Sequence, residues 1–266
     1  MRKNNRSTSW QKVAPWYSKI TEHGQGHYFH QHIIIPKVIR LLSLDSSLRS
    51  SHLRILDFAC GNGVLAKYIP KNVEYLGIDI APSLIKEAKK IDKNPNHKYL
   101  VADVSSPSLF TSHLSLSSYN QFTHAVIMLA LQNIEGPDKV LQNVSKSLKI
   151  GGKLVIVLNH PVLRIPRQTS WGIDEARKIQ YRRIDRYLSP LKIPINMNLS
   201  DKNSAVTWSY HHSLSDYSKM LKDAGFVIEI IEEWTSDKDS KGSAARMENR
   251  GRSEFPLFLT IVAKKE

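Results

Sequence analysis

A small set of acidic and glycine positions in the first half of the chain has the types and spacing to hold a nucleotide-like cofactor. Ile55 to Gly63 reads Ile-Leu-Asp-Phe-Ala-Cys-Gly-Asn-Gly: apolar residues fit for a buried strand, a carboxylate at Asp57, then a turn with Gly61 and Gly63. Glycine lets the backbone turn tightly and approach a ligand with no Cβ in the way. The helical spacing of Val64 to Ile69 predicts a helix start behind the turn, with free amides facing the same space. Asp79 ends the next apolar stretch, where a two-oxygen acceptor at a strand end suits the hydroxyl pair of a ribose, and Asp103 directly follows a further stretch. Gly61, Gly63, Ala66 and Asp79 also satisfy the dinucleotide fingerprint in its glycine-or-alanine form. Cys60, the only cysteine, rules out an intramolecular disulfide and an all-cysteine metal site, and inside this turn it reads as a packing residue.

Histidines supply the candidate bases. His160 ends a late apolar strand, and His211 and His212 stand just before a helix, where substrate-side residues are expected. His27, His30 and His32 cluster near the N-terminus, but no carboxylate or cysteine has a fitting spacing, so no metal site is expected.

The elements that must position these residues alternate. Ile55 to Phe58, Val73 to Asp79, Lys98 to Val101, Phe122 to Leu129 and Lys153 to Leu158 read as strands. Pro82 to Ile91 and Pro137 to Leu148 read as helices between them, the second stopped by Gly151 and Gly152. Alternation predicts a parallel sheet covered on both faces. Upstream, Met1 to Ser9 reads as a tail, Trp10 to His32 as a capping segment, and Phe29 to Leu44 as a helix with Pro36 near its start. The rhythm breaks at Asn159: a stretch to about 204 carries four prolines, Trp171, Tyr181, Tyr187, and Arg164, Arg167, Arg182, Arg183 and Arg186. It follows the carboxyl end of a strand, the edge where open α/β sheets bind ligands, so it reads as a lid. Ala205 to His211 reads as a short strand and Ser213 to Ala224 as a helix. Phe226 to Trp234 and Phe255 to Ala263 form a terminal antiparallel hairpin, joined by a polar loop from Thr235 to Glu254.

At 266 residues the chain has room for one large α/β domain with an insertion. No apolar run reaches the length of a membrane span and no secretory signal is visible, so a cytoplasmic protein is expected. The net charge of +14 raises nucleic acid or an anionic substrate as partners, but the excess is spread along the chain.

Taken together, Asp57-Phe-Ala-Cys-Gly61-Asn-Gly63, Gly77-Ile-Asp79-Ile80, Ala102-Asp103-Val104, the fourth strand running into Leu129-Ala130-Leu131, and Leu148-Lys-Ile-Gly-Gly-Lys-Leu154 form an ordered series. In order and spacing it resembles the motifs of class I S-adenosylmethionine-dependent methyltransferases. Gly225-Phe226 and Pro256 to Ala263 are similar to that family's last two strands. The resemblance implies a Rossmann-like α/β fold: a seven-stranded, mostly parallel sheet with a C-terminal antiparallel hairpin, an N-terminal helical cap over 1–45, and a methyltransferase domain over 46–266 with the lid at about 159–204. It implies S-adenosyl-L-methionine as cofactor. Asp57 would lie near its ammonium group, Ala59, Gly61 and Gly63 along its methionine part, and Asp79 on the ribose hydroxyls. Ile80 and Val104 would lie on the adenine, Asp103 at its amine, and Leu129 beside them. Tyr17 in Val13-Ala-Pro-Trp-Tyr17 resembles the N-terminal aromatic that small-molecule members fold over the cofactor.

The acceptor is less constrained. Asn159-His160-Pro161-Val162 follows the fifth strand, not the fourth, and so does not match the amino-methyltransferase motif Asn-Pro-Pro-Tyr. Tyr210-His-His-Ser-Leu-Ser-Asp-Tyr217 resembles a segment of small-molecule and quinone-type methyltransferases and favours a small acceptor. The insertion arginines either bind an anionic substrate or coat a lid. An RNA or protein acceptor, an NAD(P)-dependent oxidoreductase and a non-catalytic scaffold are the competing readings.

Overall fold

A computed structural model of the chain describes residues 9–23, 25–43, 53–110, 122–196 and 206–266. The expected tail up to residue 8 and the end of the insertion, 197–204, lie outside the described residues.

The strands are β1 (Arg54–Phe58), β2 (Glu74–Asp79), β3 (His97–Val101), β4 (Phe122–Met128), β5 (Leu148–Asn159), β6 (Thr169–Asp174), β7 (Ile179–Ile184), β8 (Leu191–Asn196), β9 (Val206–His211), β10 (Phe226–Trp234) and β11 (Phe258–Lys265). The α-helices are α1 (Ser9–His23), α2 (Gln25–Phe29), α3 (Ile35–Leu41), α4 (Pro82–Ile91), α5 (Pro137–Ser147), α6 (Leu214–Asp223) and α7 (Ala245–Glu254). Seven strands form one sheet in the order β10-β11-β5-β4-β1-β2-β3. The five strands from β3 to β5 are parallel, and β11 runs antiparallel to both β5 and β10. Chain direction through the sheet reverses between β1 and β4, the switch point at which a crevice opens beyond the carboxyl ends of the strands. Register carries the chemistry there. Phe58 lies opposite Ile78, Asp79 opposite Val101 and Met128 opposite Val157, so the segments following these strands meet at one edge.

Burial on both faces explains the unbroken apolar runs. Leu154 to Leu158 is fully buried, as a central parallel strand must be. One face is covered by α5 and α6 through Val140, Leu141, Val144, Tyr217 and Leu221. The other is covered by α3 and α4 through Val38, Leu41, Ile85 and Ala88. Ser213 and Asp216 form a reciprocal capping box that starts α6.

Several local expectations are corrected. The residues after β1 make only a turn and one 3-10 turn, Ala66–Tyr68, so no α-helix follows the glycines. With Gly61 at φ +57° and Gly63 at φ +75°, the backbone leaves the right-handed region twice within three residues and spends the segment on turning. The long N-terminal helix is interrupted by a π-helical turn, His30–Ile34, immediately before α3. Pro36 has no amide for the carbonyl one turn back, and the ladder widens there. β5 begins at Leu148, ahead of Gly151 and Gly152, which sit at an irregularity in its pairing with β4. The polar stretch before β11 contains α7, whose only buried residue is Gly251. A helix with so little apolar surface has no periodic signal. It docks closely, since a Cβ on Gly251 would stand 2.9 Å from Gln180 Oε1 on β7.

Within the insertion, β6 pairs with β7 and β8 with β9, each antiparallel. The second hairpin is tied to the segment following β4: Lys192 Nζ donates to Glu135 at 2.9 Å.

Candidate active site

The edge beyond β1, β2, β3 and β4 encloses a cavity of about 600 Å³, within the range of small-molecule and cofactor sites. Its floor is the turn after β1. Ala59 holds φ +59° and Gly61 φ +57°, so the chain turns up sharply under the cavity. Gly61 is constrained twice: beyond its φ, a Cβ there would stand 3.0 Å from the Tyr17 ring. Tyr17 therefore lies across the turn from α1, with Trp10 edge-on to it at a centroid distance of 6.0 Å. Both aromatics line the cavity. The helix is held by Gln11 Oε1, which accepts from the backbone amide and the hydroxyl of Ser83 at the start of α4.

Asp79 is the cavity's principal acceptor. Its Oδ2 accepts the Gly61 amide at 2.9 Å and its Oδ1 the Ala81 amide at 2.9 Å. The Ile80 amide acts on the same carboxylate, and the roughly four lone-pair directions of a carboxylate still leave room for a further donor. Burial raises its pKa while the amides act the other way. Ile80, Asp103 and Val104 stand on the same wall. Asp103 Oδ1 accepts the amide and hydroxyl of Ser105, a local turn that orients the carboxylate.

Leu129 closes the far side in a strained conformation, φ +54°. A left-handed leucine costs about 1–2 kcal/mol. Three hydrogen bonds hold it: its amide donates to Val157 O at 2.8 Å, and its carbonyl accepts the side-chain amides of Gln132 and Asn133, each at 3.1 Å. Strain kept by surrounding structure is a common mark of a functional site.

The structure brings Tyr17, Ala59, Gly61, Asp79, Ile80, Asp103, Val104 and Leu129 to one cavity. Asp57 and Gly63 lie outside its lining. Asp57 is beneath the floor, 1% exposed, and accepts the Tyr75 hydroxyl at 2.7 Å. Gly63 faces Tyr99 and Ala88, so its small size serves packing. Cys60 is buried with its sulfur against Gly77. Burial first, then the nearby Asp57 and Asp79, raise its thiol pKa, the opposite of an activated nucleophile.

None of the three candidate bases lines this cavity. His160 is 2% exposed; its Nδ1 accepts the amides of Val162 and Leu163, and Nε2 meets Glu233 at 2.7 Å. An Nδ1 that accepts leaves the proton on Nε2, and both nitrogens are then committed to holding the chain as it leaves β5. His211 Nε2 donates to Tyr187 O at 2.6 Å. His212 packs edge-on to Tyr217, and burial lowers its pKa from the usual imidazole range. His211 and His212 instead line a small cavity of about 30 Å³ beside Gln132 and Arg164. Of the N-terminal histidines, His32 stacks on Tyr28 and His30 is buried against another cavity.

Trp10, Met128, Asn133, Glu135 and Lys139 also line the main cavity, and sequence reasoning did not single them out. Trp10 carried a usable signal, standing two helical turns before Tyr17 on the same face. The others depend on the path of the chain after β4.

Residues 56–154 match the family described as methyltransferase domain. An uncharacterized methyltransferase of Schizosaccharomyces pombe is 24% identical over 204 residues, 74% of this chain and 68% of that protein. A ubiquinone biosynthesis O-methyltransferase of Xanthomonas axonopodis is 26% identical over 121 residues; the match spans 44% of this chain and 48%, about half, of that relative. Among solved structures, an S-adenosylmethionine dependent methyltransferase from Mesorhizobium loti has the same fold, with a TM-score of 0.64 and 23% identity over 86% of this chain and 96% of that one. The oxidoreductase reading falls with these findings. It also needs a helix N-terminus after the glycines, where the chain has a 3-10 turn. The matched segment runs from β1 into β5 and so contains the floor, the Asp79 wall and the Leu129 side of the cavity; over it the chain is similar to methyltransferase domains, in a fold shared with S-adenosylmethionine-dependent methyltransferases.

Proposed function

We propose that this protein transfers a methyl group from S-adenosyl-L-methionine to a small-molecule acceptor. The observation that carries the reading is that Trp10 and Tyr17 of α1 join Gly61, Asp79 and Asp103 in lining one cavity of about 600 Å³, a size suited to a cofactor and a small acceptor. The residues present fit that cofactor. Gly61 keeps the floor free of a side chain, Asp79 keeps acceptor capacity for ribose hydroxyls, and Ile80 and Val104 offer apolar surface for a flat base. Asp103 Oδ2 makes no hydrogen bond among the described residues, so an exocyclic amine has an acceptor beside that surface. The names of curated relatives, ubiquinone biosynthesis O-methyltransferases, support an acceptor of small size.

When bound, the cofactor supplies an electrophilic methyl: the acceptor's lone pair forms the new bond as the carbon–sulfur bond breaks and its electrons stay on sulfur. The protein's own task is alignment and exclusion of water. Leu129 and Met128 wall the cavity with apolar atoms, and Tyr17, lying over Gly61, puts an aromatic ring in the same lining, a favourable neighbour for a cation. The phenol stays protonated there, since burial and then Asp79 and Asp57 raise its pKa.

Parallel calorimetric titrations with S-adenosylmethionine, S-adenosylhomocysteine and NADH test the reading. Binding of the first two and not the third is expected; preference for NADH, or silence from all three, would overturn it.

A further inference from the structure

Leu129 is a wall of two spaces. On one side is the main cavity; on the other is a chamber of about 180 Å³ that also touches Phe29, Ile34, Leu257 and Phe258. These residues make its body apolar and partly aromatic, with Phe29 and Phe258 edge-on at a centroid distance of 5.9 Å. The π-helical turn that follows Phe29 adds buried His30 to the lining, and such turns recur at functional sites.

The chamber's lining also has a polar part. Asn159, the last residue of β5, and Arg164 line it, and the same two residues line the adjoining 30 Å³ cavity together with Gln132. Gln132 Oε1 is buried with no hydrogen-bond partner. Among the described residues, neither the Asn159 amide nor the Arg164 guanidinium makes a hydrogen bond or an ion pair. Two neighbouring arginines are committed elsewhere. Arg182 donates to Leu163 O and Thr169 Oγ1 and covers the Trp171 ring, while Arg183 pairs with Asp185 at 2.6 Å. Burial and then the charge of Arg182 disfavour the charged form of Arg164. A guanidinium set beside another cation with no acid in reach lacks a counter-anion, and the planar fork of arginine suits a carboxylate.

We propose that this chamber holds the methyl acceptor, and that the acceptor is a compact molecule of about one ring whose carboxylate is bound by Arg164 with Asn159 beside it. The chamber is smaller than the ~300–1,000 Å³ of sites for drug-sized ligands, which limits the body. A single uncommitted guanidinium suits a monoanion better than a phosphate dianion. The apolar body of the molecule is placed against Leu129, the residue whose other contacts line the cofactor cavity. The placement rests on the methyl-transfer reading above, whereas the anion contact can be read independently of it.

Benzoate and its neutral counterpart benzamide are the probes, titrated calorimetrically into the full chain with and without saturating S-adenosylhomocysteine. Benzoate is expected to bind at least about tenfold more tightly than benzamide, from the strength of a charge-assisted pair. Arg164→Leu should weaken benzoate by roughly 10- to 100-fold, with S-adenosylhomocysteine affinity unchanged, and Arg164→Lys should recover part of the loss. The Arg164 side chain is only partly buried and makes no hydrogen bond or ion pair among the described residues, so the variants should melt with the wild type. Equal binding of the two probes, no binding of benzoate, or benzoate affinity indifferent to Arg164 in a folded variant would each overturn the proposal. A chain that takes S-adenosylhomocysteine but not benzoate keeps the cofactor reading and loses this one. Arg164-dependent benzoate binding without S-adenosylhomocysteine binding would do the reverse.

Discussion

Two carboxylates near the same turn have opposite surroundings and should respond differently to substitution. Asp57 is sealed beneath the floor, and burial, partly offset by the Tyr75 hydroxyl and reinforced by the charge of Asp79, pushes its pKa up to about 7. The folded chain therefore holds this proton more tightly than the unfolded chain, where a carboxyl titrates near ~3.9. Stability should fall as pH rises from about 4 to about 7 and level off above. Asp57→Asn keeps an acceptor for Tyr75 and removes the buried charge. It is expected to raise the melting temperature at pH 8 and change little at pH 4, in thermal melts across that range; a gain equal at both ends would refute the assignment. Asp79→Ala should weaken S-adenosylhomocysteine at least about a hundredfold, because two charge-assisted hydrogen bonds are lost. It should also lower stability by about 2 kcal/mol, since the Gly61 and Ala81 amides lose their acceptor. Calorimetry and a melt of the same sample separate the two effects.

At the scale of elements, α1 is the piece expected to move. It is held over the cavity by Gln11 on Ser83 and by aromatic contact above Gly61, and among its described side chains Val13 and Ala14 are the buried apolar ones. Elements with little buried surface open locally at low cost. Hydrogen exchange of α1 amides should slow by about tenfold or more when S-adenosylhomocysteine is added, while β10 and β11 exchange unchanged. Identical α1 exchange in the two states would mean that the helix is a fixed wall. By contrast, α3 is built in: its buried Val38 and Leu41 belong to the sheet's core, and Arg40 grips both carboxylate oxygens of Glu232 on β10.

For the whole molecule, the question is what a net charge of +14 does. The β6–β7 hairpin exposes Trp171 and Tyr181 near Arg177, Lys178 and Arg183, a surface that would attract any polyanion. If this is a general field effect, binding of a single-stranded RNA should be lost between about 50 and 200 mM salt and should not depend on S-adenosylhomocysteine. Salt-resistant RNA binding that strengthens with the bound cofactor product would instead favour a polymer acceptor, and a fluorescence-anisotropy salt series distinguishes the two.

What the sequence determined by itself is local. Apolar strands, Pro82 and Pro137 at helix starts, and the order of Gly61, Gly63, Asp79 and Asp103 along the chain all follow from short-range spacing. A parallel sheet then brings the ends of its strands to one edge. Tertiary structure alone decided which of these side chains face the cavity. Asp57 and Gly63 share a motif with Gly61, yet they point into packing, because backbone turning at Ala59 and Gly61 sends successive residues to different sides. The same holds for the histidines, whose partners Glu233 and Tyr187 are distant in sequence, and for the chamber behind Leu129. Its walls come from the helix before β1, the end of β5, the insertion and the start of β11. No local period brings such residues together; only the packing of the finished sheet does.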